Sequence, residues 1–216
     1  MTTCERQHGF TLIELIVVLA VLGTLLAAAV PLVSAVVDVD RRQEARAELA
    51  ACAAALESFY LEHATFPPLL RDATFVGIHL QTGVGGTTLV DPFGAGLDYL
   101  YSVDPVADTA TVWSRGEDGV DRGAAVEELV VVVHGAVPGG ARTWQRFRLI
   151  VELLADHIEA GGSVAGTWPT VRAAIGLGAD YDHDGYGTVF DWDAATHTLT
   201  SAGPDRTLGT ADDLVL

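Results

Sequence analysis

The chain has 216 residues and a formal net charge of -17, and its length allows one or two small domains. Its 12 basic residues form no basic stripe, which argues against nucleic acid as the main partner because phosphate binding needs clustered positive charge. No HExxH, GxSxG or GxxxxGKS/T motif occurs, and we expect the protein not to be an enzyme.

A polar segment, MTTCERQHG, precedes a long apolar run at the N-terminus. As a helix, the uncharged residues 15–37 would be about 35 Å long, enough to cross a hydrocarbon core about 30 Å thick. One acid, Glu14, lies near the start of this run. A carboxylate in apolar surroundings costs about 2.5 to 3.5 kcal/mol on insertion scales, so such residues normally have a partner. The pattern predicts a transmembrane helix over residues 10–37 with a functional acid at its start.

The junction between this polar segment and FTLIEL resembles the type III signal of type IV pilins and type II secretion pseudopilins. The resemblance implies that residues 1–9 are a leader, cut off after Gly9 by a prepilin peptidase. Phe10 then becomes the mature N-terminus, usually N-methylated. By the same resemblance, Glu14 neutralises the N-terminal amine of a neighbouring subunit during assembly. The alternative is a single-pass anchor whose glutamate only reaches the membrane interface.

Helical spacing continues beyond residue 37 into an alanine-rich segment. We expect the helix to end near residue 64, because Pro67 and Pro68 disfavour helix in the residues before them. Short strand candidates follow at residues 97–103, 109–114 and 129–134. One long helix followed by small antiparallel strands predicts an α+β fold, with the lollipop layout of pilins.

An internal repeat relates the middle of the chain to its C-terminal third, in three segments that occur in the same order. The alternative is chance similarity between short acidic turns. The aligned pairs are residues 46–67 with 148–169, DPFG at 91–94 with DHDG at 182–185, and residues 114–130 with 201–215.

This repeat predicts two soluble domains after the membrane helix. The first, over residues 38–137, is pseudopilin-like, and the second, over residues 142–216, is a smaller α+β copy. The junction is expected in the Pro- and Gly-rich stretch 134–143.

A helix, a DP-aromatic-G turn and WSxGxDG with a later acidic pair together resemble the major pseudopilin (protein G) family of type II secretion. The resemblance implies insertion in the inner membrane with the soluble domains in the periplasm. It also implies polymerisation with other pseudopilin subunits, contact with an inner-membrane assembly platform, and a calcium ion in the C-terminal loop.

Calcium binding also fits the chemistry of both repeated loops, because the ion takes six to eight oxygen ligands and glycines let the chain fold around it. Asp205, Asp212 and Asp213 supply carboxylates in the second loop, and the resemblance adds the carbonyl of Ala202. Glutamates replace the family's aspartate pair in the first loop, where Asp121 offers a substitute ligand. Solvated acidic turns are the alternative in both. The candidates in the first loop are Asp118, Glu127 and Glu128, with the carbonyl of Arg115.

A third candidate calcium site lies in DYDHDGYGTVFD, residues 180–191, which resembles an EF-hand loop. Carboxylates occupy positions 1, 3, 5 and 12 around a glycine at position 6. Position 8 is a glycine and the last ligand is Asp instead of Glu, so a structural turn is the competing interpretation. The four carboxylates belong to Asp180, Asp182, Asp184 and Asp191.

The sequence therefore predicts a pseudopilin-like subunit of a type II secretion system that acts mechanically. One alternative is a surface type IV pilin or a minor tip pseudopilin, since a second domain adds bulk to a packed filament. Another is a membrane-anchored calcium-binding module that does not polymerise.

Overall fold

The structure, a computed structural model, describes residues 12–81 and 89–216. The chain divides into two compact units, Met1–Glu44 and Ala45–Leu216. Helices combine with two small antiparallel sheets, which confirms the predicted α+β class. The predicted leader, which ends at Gly9, and the predicted mature N-terminus, Phe10, both lie outside the described residues.

The first helix, α1, runs without a break over Leu12–His63. It ends where the sequence predicts, and Ala64 follows it with a φ of 55°, the left-handed conformation that commonly terminates a helix. In the part of the chain that the structure describes, no helical segment combines the length and hydropathy needed to cross a membrane. The membrane span predicted over residues 10–37 stays a prediction.

Residues 45–134 of the second unit, called here the first half, pack one end of α1 against a three-stranded sheet. The strands are β1 Leu100–Asp104, β2 Thr109–Trp113 and β3 Val130–His134, antiparallel in the order β1-β2-β3. All three were predicted, with bounds that differ by at most three residues. The core between helix and sheet includes Leu56, Phe75 and Val112.

Residues 136–216, called here the second half, repeat this plan with a core of their own. Two helices, α2 Ala136–Glu159 and α3 Trp168–Ala174, precede a single 3₁₀ turn at Ala179–Asp182. The strands are β4 Asp191–Asp193, β5 Thr198–Ser201 and β6 Leu214–Val215, antiparallel in the order β4-β5-β6. The buried core residues are Phe147, Ile150, Trp168, Val171, Phe190 and Leu199.

Both sheets begin with the same kind of hairpin. Asp104 accepts hydrogen bonds from two backbone N–H groups of its turn, and Asp193 does the same in the second half. Each turn ends on a residue with positive φ, Asp108 at 49° and His197 at 57°. The two halves therefore share helix, sheet order and hairpin construction, whereas the domain bounds at residues 137 and 142 stay predictions.

The Pro- and Gly-rich stretch 134–143 is not the irregular junction that its composition indicates, because α2 already begins at Ala136. Pro138 lies in the first helical turn, where its missing N–H costs nothing. The next helix position is a glycine, Gly139, because Tyr186 packs directly on it and an added Cβ would be 2.4 Å from the ring. The glycines of this stretch therefore serve close packing.

The helices of the two halves are equivalent in a different register from the one that the repeat predicts. Four buried positions of α1 match four buried positions of α2 that lie 98 residues further along the chain. The repeat found in the sequence instead pairs helix residues that are 102 positions apart. A shift of four residues is about one turn and keeps the same helix face, so an alanine-rich sequence does not distinguish the two registers. The buried positions are Ala45, Glu48, Leu49 and Cys52 in α1, and Thr143, Arg146, Phe147 and Ile150 in α2.

The two halves are in direct contact. A single residue, Gly135, separates β3 from α2, and a Cβ added there would be 2.1 Å from Asp108 and 2.6 Å from Tyr60. Arg206 of the second half reaches the same place, with Nη2 3.3 Å from Oδ1 of Asp108 and 3.4 Å from the hydroxyl of Tyr60. Tyr60 in turn donates its hydroxyl proton to Asp108.

Candidate functional site

The two loops that carry candidate calcium ligands, residues 114–130 and 201–215, are called here the first and second acidic loops. Each leaves its sheet at a fully buried serine that donates a hydrogen bond to a fully buried aspartate. Ser114 binds Asp91 in the first half at 2.8 Å, and Ser201 binds Asp184 in the second at 2.7 Å. Both carboxylates are 1% exposed and also accept two backbone N–H groups. The pairs hold the start of each loop against the turn that carries the aspartate.

These pairs correct the register of the repeat around the turn. The sequence alignment pairs Asp91 with Asp182, but the hydrogen bonds make Asp184 the equivalent of Asp91, two residues further on. The serines were aligned in the predicted register, whereas the roles of the two buried aspartates were missed. A search for the pattern Asp-x-aromatic-Gly would have found both aspartates.

The second acidic loop folds back so that its late carboxylates meet its beginning. Gly203, with a φ of 66°, lies so close to Asp212 that an added Cβ would be 2.4 Å from its carbonyl oxygen and 3.0 Å from Oδ2. The same Oδ2 accepts the N–H of Asp205 at 3.1 Å. Asp213 accepts the N–H of Gly209 at 2.8 Å. The loop thus brings Asp205 and Asp212 together beside Gly203, next to the buried Ala202.

Thr210 sets the electrostatics of this loop. Its hydroxyl hydrogen-bonds Asp212 at 2.6 Å, and this contact, followed by the N–H of Asp205, lowers the pKa of the Asp212 carboxyl. A lowered pKa means that folding favours the ionised form, the form that a cation requires.

The first acidic loop returns in a similar way with glutamate in place of aspartate. Gly116, with a φ of 69°, lies against Glu127, since an added Cβ would be 2.9 Å from Oε2. Asp118 forms an ion pair with Arg122, whose backbone N–H donates to Glu127 at 3.3 Å. Glu128 is exposed.

Two further residues of the first loop make hydrogen bonds within the protein. Asp121 accepts hydrogen bonds from the N–H of Gly123 and the indole of Trp113, and these lower the pKa of its carboxyl. The backbone N–H of Arg115 binds Asp91. In residues 12–81 and 89–216, neither acidic loop holds three side chains whose ligand atoms all lie within 4.8 Å of one another.

Two of the four carboxylates in the segment that resembles an EF-hand loop have separate partners within the protein. Asp182 pairs with Arg172 at 2.6 Å, and Asp184 is buried in the hydrogen bonds described above. Asp180 and Asp191 are both exposed. Arg146 crosses from α2 to donate to the carbonyls of Asp180 and His183, which holds the segment by its backbone.

At the N-terminal end of the described residues, Glu14 lies in the first turn of α1 and is exposed. Gly9 and Phe10, the predicted cleavage residues, precede the described part of the chain.

Comparisons with known proteins point to this N-terminal segment. Residues 5–30 match the family described as prokaryotic N-terminal methylation motif. The chain is 40% identical over 63 residues to the type II secretion system core protein G of Pseudomonas aeruginosa. That match covers 29% of this chain and 44% of the relative, less than half of its length. No solved structure matches the chain significantly. These similarities confirm the predicted resemblance of the chain to pilin-like and pseudopilin proteins.

Proposed function

We propose that this chain is a pseudopilin subunit of a type II protein secretion system. A prepilin peptidase cuts after Gly9 and methylates Phe10, and residues 10–37 then hold the protein in the inner membrane with its soluble part in the periplasm. Subunits polymerise with one another and with other pseudopilins on an inner-membrane assembly platform. The resulting pseudopilus helps to export folded proteins, and its action is mechanical, not enzymatic.

One observation carries this proposal: the methylation motif matches residues 5–30, which include the predicted cleavage site and Glu14. The similarity to a type II secretion protein favours the pseudopilin branch over surface pilins. The mixture of one long helix and small antiparallel sheets is compatible with a helix-anchored subunit.

Processing is tested by expressing the full chain with and without a prepilin peptidase. Mass spectrometry of the purified protein is expected to give a chain that begins with N-methylphenylalanine at Phe10 only when the peptidase is present. Replacement of Gly9 by Leu is expected to leave the leader attached. A chain that keeps its leader in a peptidase-competent host would contradict the pilin-like assignment.

Assembly is tested with Glu14→Leu. The variant is expected to enter the membrane normally and to form no filaments, because the acid that pairs with a neighbouring amine is gone. Glu57→Leu, an exposed acid further along α1, is the matched control and is expected to form filaments. Normal filaments from Glu14→Leu would refute the registry role. A wild-type chain that is processed but never polymerises would favour the anchored calcium-binding module.

We further propose that the two acidic loops bind calcium and stabilise the soluble part. The return of Asp212 onto Gly203, and of Glu127 onto Gly116, supports this because each loop sets a carboxylate beside a tight glycine turn. Carboxylate and carbonyl oxygens are the ligands that calcium prefers.

Calcium binding is tested by thermal unfolding of the full chain in detergent. An ion that binds only the folded state adds about 2.7 kcal/mol at a concentration of one hundred times its Kd. Millimolar calcium is expected to raise the Tm of the wild type, and Asp212→Ala with Asp213→Ala should abolish most of the rise. Asp156→Ala with Glu159→Ala removes two exposed acids from α2 and should retain it. An equal rise in both double variants would count against the loop.

A further inference from the structure

Three side chains that the proposed function does not use meet where α1 ends. Glu62 and His63 are the last two residues of the helix, and His79 lies in a turn 16 residues further along the chain. Each offers one ligand atom, and these atoms all lie within 4.8 Å of one another. The cluster belongs to the first half and lies outside both acidic loops.

His79 is held rigidly and presents one ring nitrogen to the cluster. Its side chain is 7% exposed, and its ring contacts Phe59 and Phe75 at centroid distances of 5.2 and 6.4 Å. Nδ1 lies 3.0 Å from the hydroxyl of Ser58, which leaves Nε2 3.4 Å from Oε2 of Glu62. A hydrogen bond to the second ring nitrogen is the usual way in which a metal-ligating histidine is oriented.

The backbone fixes the position of His79 relative to the helix. The N–H of His79 donates to the carbonyl of Phe75 at 2.9 Å, and Leu80 donates to the same carbonyl at 3.1 Å. His63 in turn packs edge-on against Phe59 at 4.2 Å. The histidines therefore approach each other from two segments that the apolar core holds together.

The donor set favours zinc over calcium and magnesium. Two imidazoles and one carboxylate suit zinc, whereas calcium and magnesium prefer oxygen ligands alone. Zinc bonds of about 2.0 to 2.1 Å at a tetrahedral angle separate two ligand atoms by about 3.3 Å. The distance of 3.4 Å between His79 and Glu62 matches this separation. Glu62 and His63 are exposed, so their side chains can rotate to close the remaining distances.

We propose that Glu62, His63 and His79 form a zinc site that joins the end of α1 to the turn that holds His79. Three protein ligands leave a fourth position, which faces solvent on the exposed side of the cluster and is filled by water. Zinc at this site stabilises the first half independently of calcium at the acidic loops.

The test uses the full chain in detergent, purified without a histidine tag, treated with EDTA and titrated with Zn²⁺ in millimolar calcium. Calorimetry is expected to give one zinc ion per chain. Replacement of zinc by Co²⁺ should give the visible absorption of a tetrahedral site. Both signals report on coordination and not only on stability.

His63→Gln is the decisive variant, because His63 is exposed and its loss leaves the core intact. Zinc affinity should fall at least tenfold, and Glu62→Gln should weaken it in the same direction. His134→Gln, an exposed histidine at the end of β3, is the matched control and should bind as the wild type does. Asp212→Ala with Asp213→Ala should also keep full affinity. Failure of the wild type to bind one ion, or unchanged affinity in His63→Gln, would overturn the proposal.

Discussion

The first and second halves of the second unit resemble each other in their turns and differ in their cores. Each half has a buried aspartate bound to a buried serine, and each opens its hairpin with an aspartate that caps the turn. The first core packs aliphatic residues, phenylalanines and tyrosines around α1, whereas the second is smaller and built around Phe147, Trp168 and Phe190.

This difference shows which contacts define the common plan. A short aspartate side chain that accepts several backbone N–H groups fixes the path of the chain, and few residues can replace it. Apolar contacts can be rebuilt with other residues if volume and pattern are kept. Turn chemistry is therefore the better guide to the relation between the halves.

The largest effect is expected when the buried aspartates are removed. Asp184→Ala leaves the buried hydroxyl of Ser201 and two backbone N–H groups without their acceptor, which should lower the free energy of unfolding by about 3 kcal/mol or more. Asp91→Ala should cost a similar amount. Asp191→Ala, at an exposed position in β4, is the control and should stay within about 0.5 kcal/mol of the wild type. Urea denaturation measures all three, and a large difference between Asp91→Ala and Asp184→Ala would break the comparison.

Cys52 gives a pH effect confined to the first half, since the second half contains no cysteine. Burial, aided by the nearby Glu48, raises the pKa of its thiol to about 12. The neutral thiol therefore favours the folded state, and this stability is complete below the unfolded pKa of about 8.5. Above that value it should be lost at up to about 1.4 kcal/mol per pH unit, or about 2 kcal/mol by pH 10.

The measurement compares the pH dependence of unfolding for Cys4→Ser with that for Cys4→Ser plus Cys52→Ala. The second chain should have the shallower slope between pH 8.5 and pH 10. Equal slopes would mean that the thiol is not desolvated in the folded first half.

A smaller effect is expected at the contact between Tyr186 and the start of α2. Gly139→Ala places a methyl group 2.4 Å from the Tyr186 ring and should cost about 1 to 2 kcal/mol, a steric cost partly offset by the helix propensity of alanine. In a Tyr186→Ala background the same substitution should stabilise the protein by up to about 1 kcal/mol. The double-mutant cycle is read by thermal unfolding, and additive changes would contradict the close fit.

The smallest effect is expected from the ion pair that links the halves. Arg206 is 40% exposed, so Arg206→Ala should cost only about 0.5 to 1 kcal/mol. Arg148→Ala, an exposed arginine of α2, serves as the control and should have no measurable effect. A loss of several kcal/mol from Arg206→Ala would mean that the halves depend on each other far more than their separate cores indicate.

The sequence predicted the strands of the first half and the end of α1 because these features depend on local signals. Alternating apolar residues mark β2, a run of four valines marks β3, and Pro67 with Pro68 marks the end of the helix. The sequence also shows directly the order in which glycines and acidic residues follow one another in both loops. The approach of Asp212 to Gly203 requires only that the loop turn back on itself.

The features that sequence did not predict depend on contacts between distant residues. Gly139 lies in a helix because of Tyr186, 47 positions away, and composition alone favours a loop there. The role of Asp184 depends on a hydrogen bond from Ser201, 17 positions further along the chain. The meeting of His79 with Glu62 and His63 likewise depends on tertiary packing.

Gly135 limits how the two halves can move. A connection of one residue reaches no further than about 3.5 Å, and this one is enclosed by Tyr60 and Asp108. The second half therefore cannot search for a partner as a tethered domain would. A force applied to the second half would therefore also act on β3 and the first half.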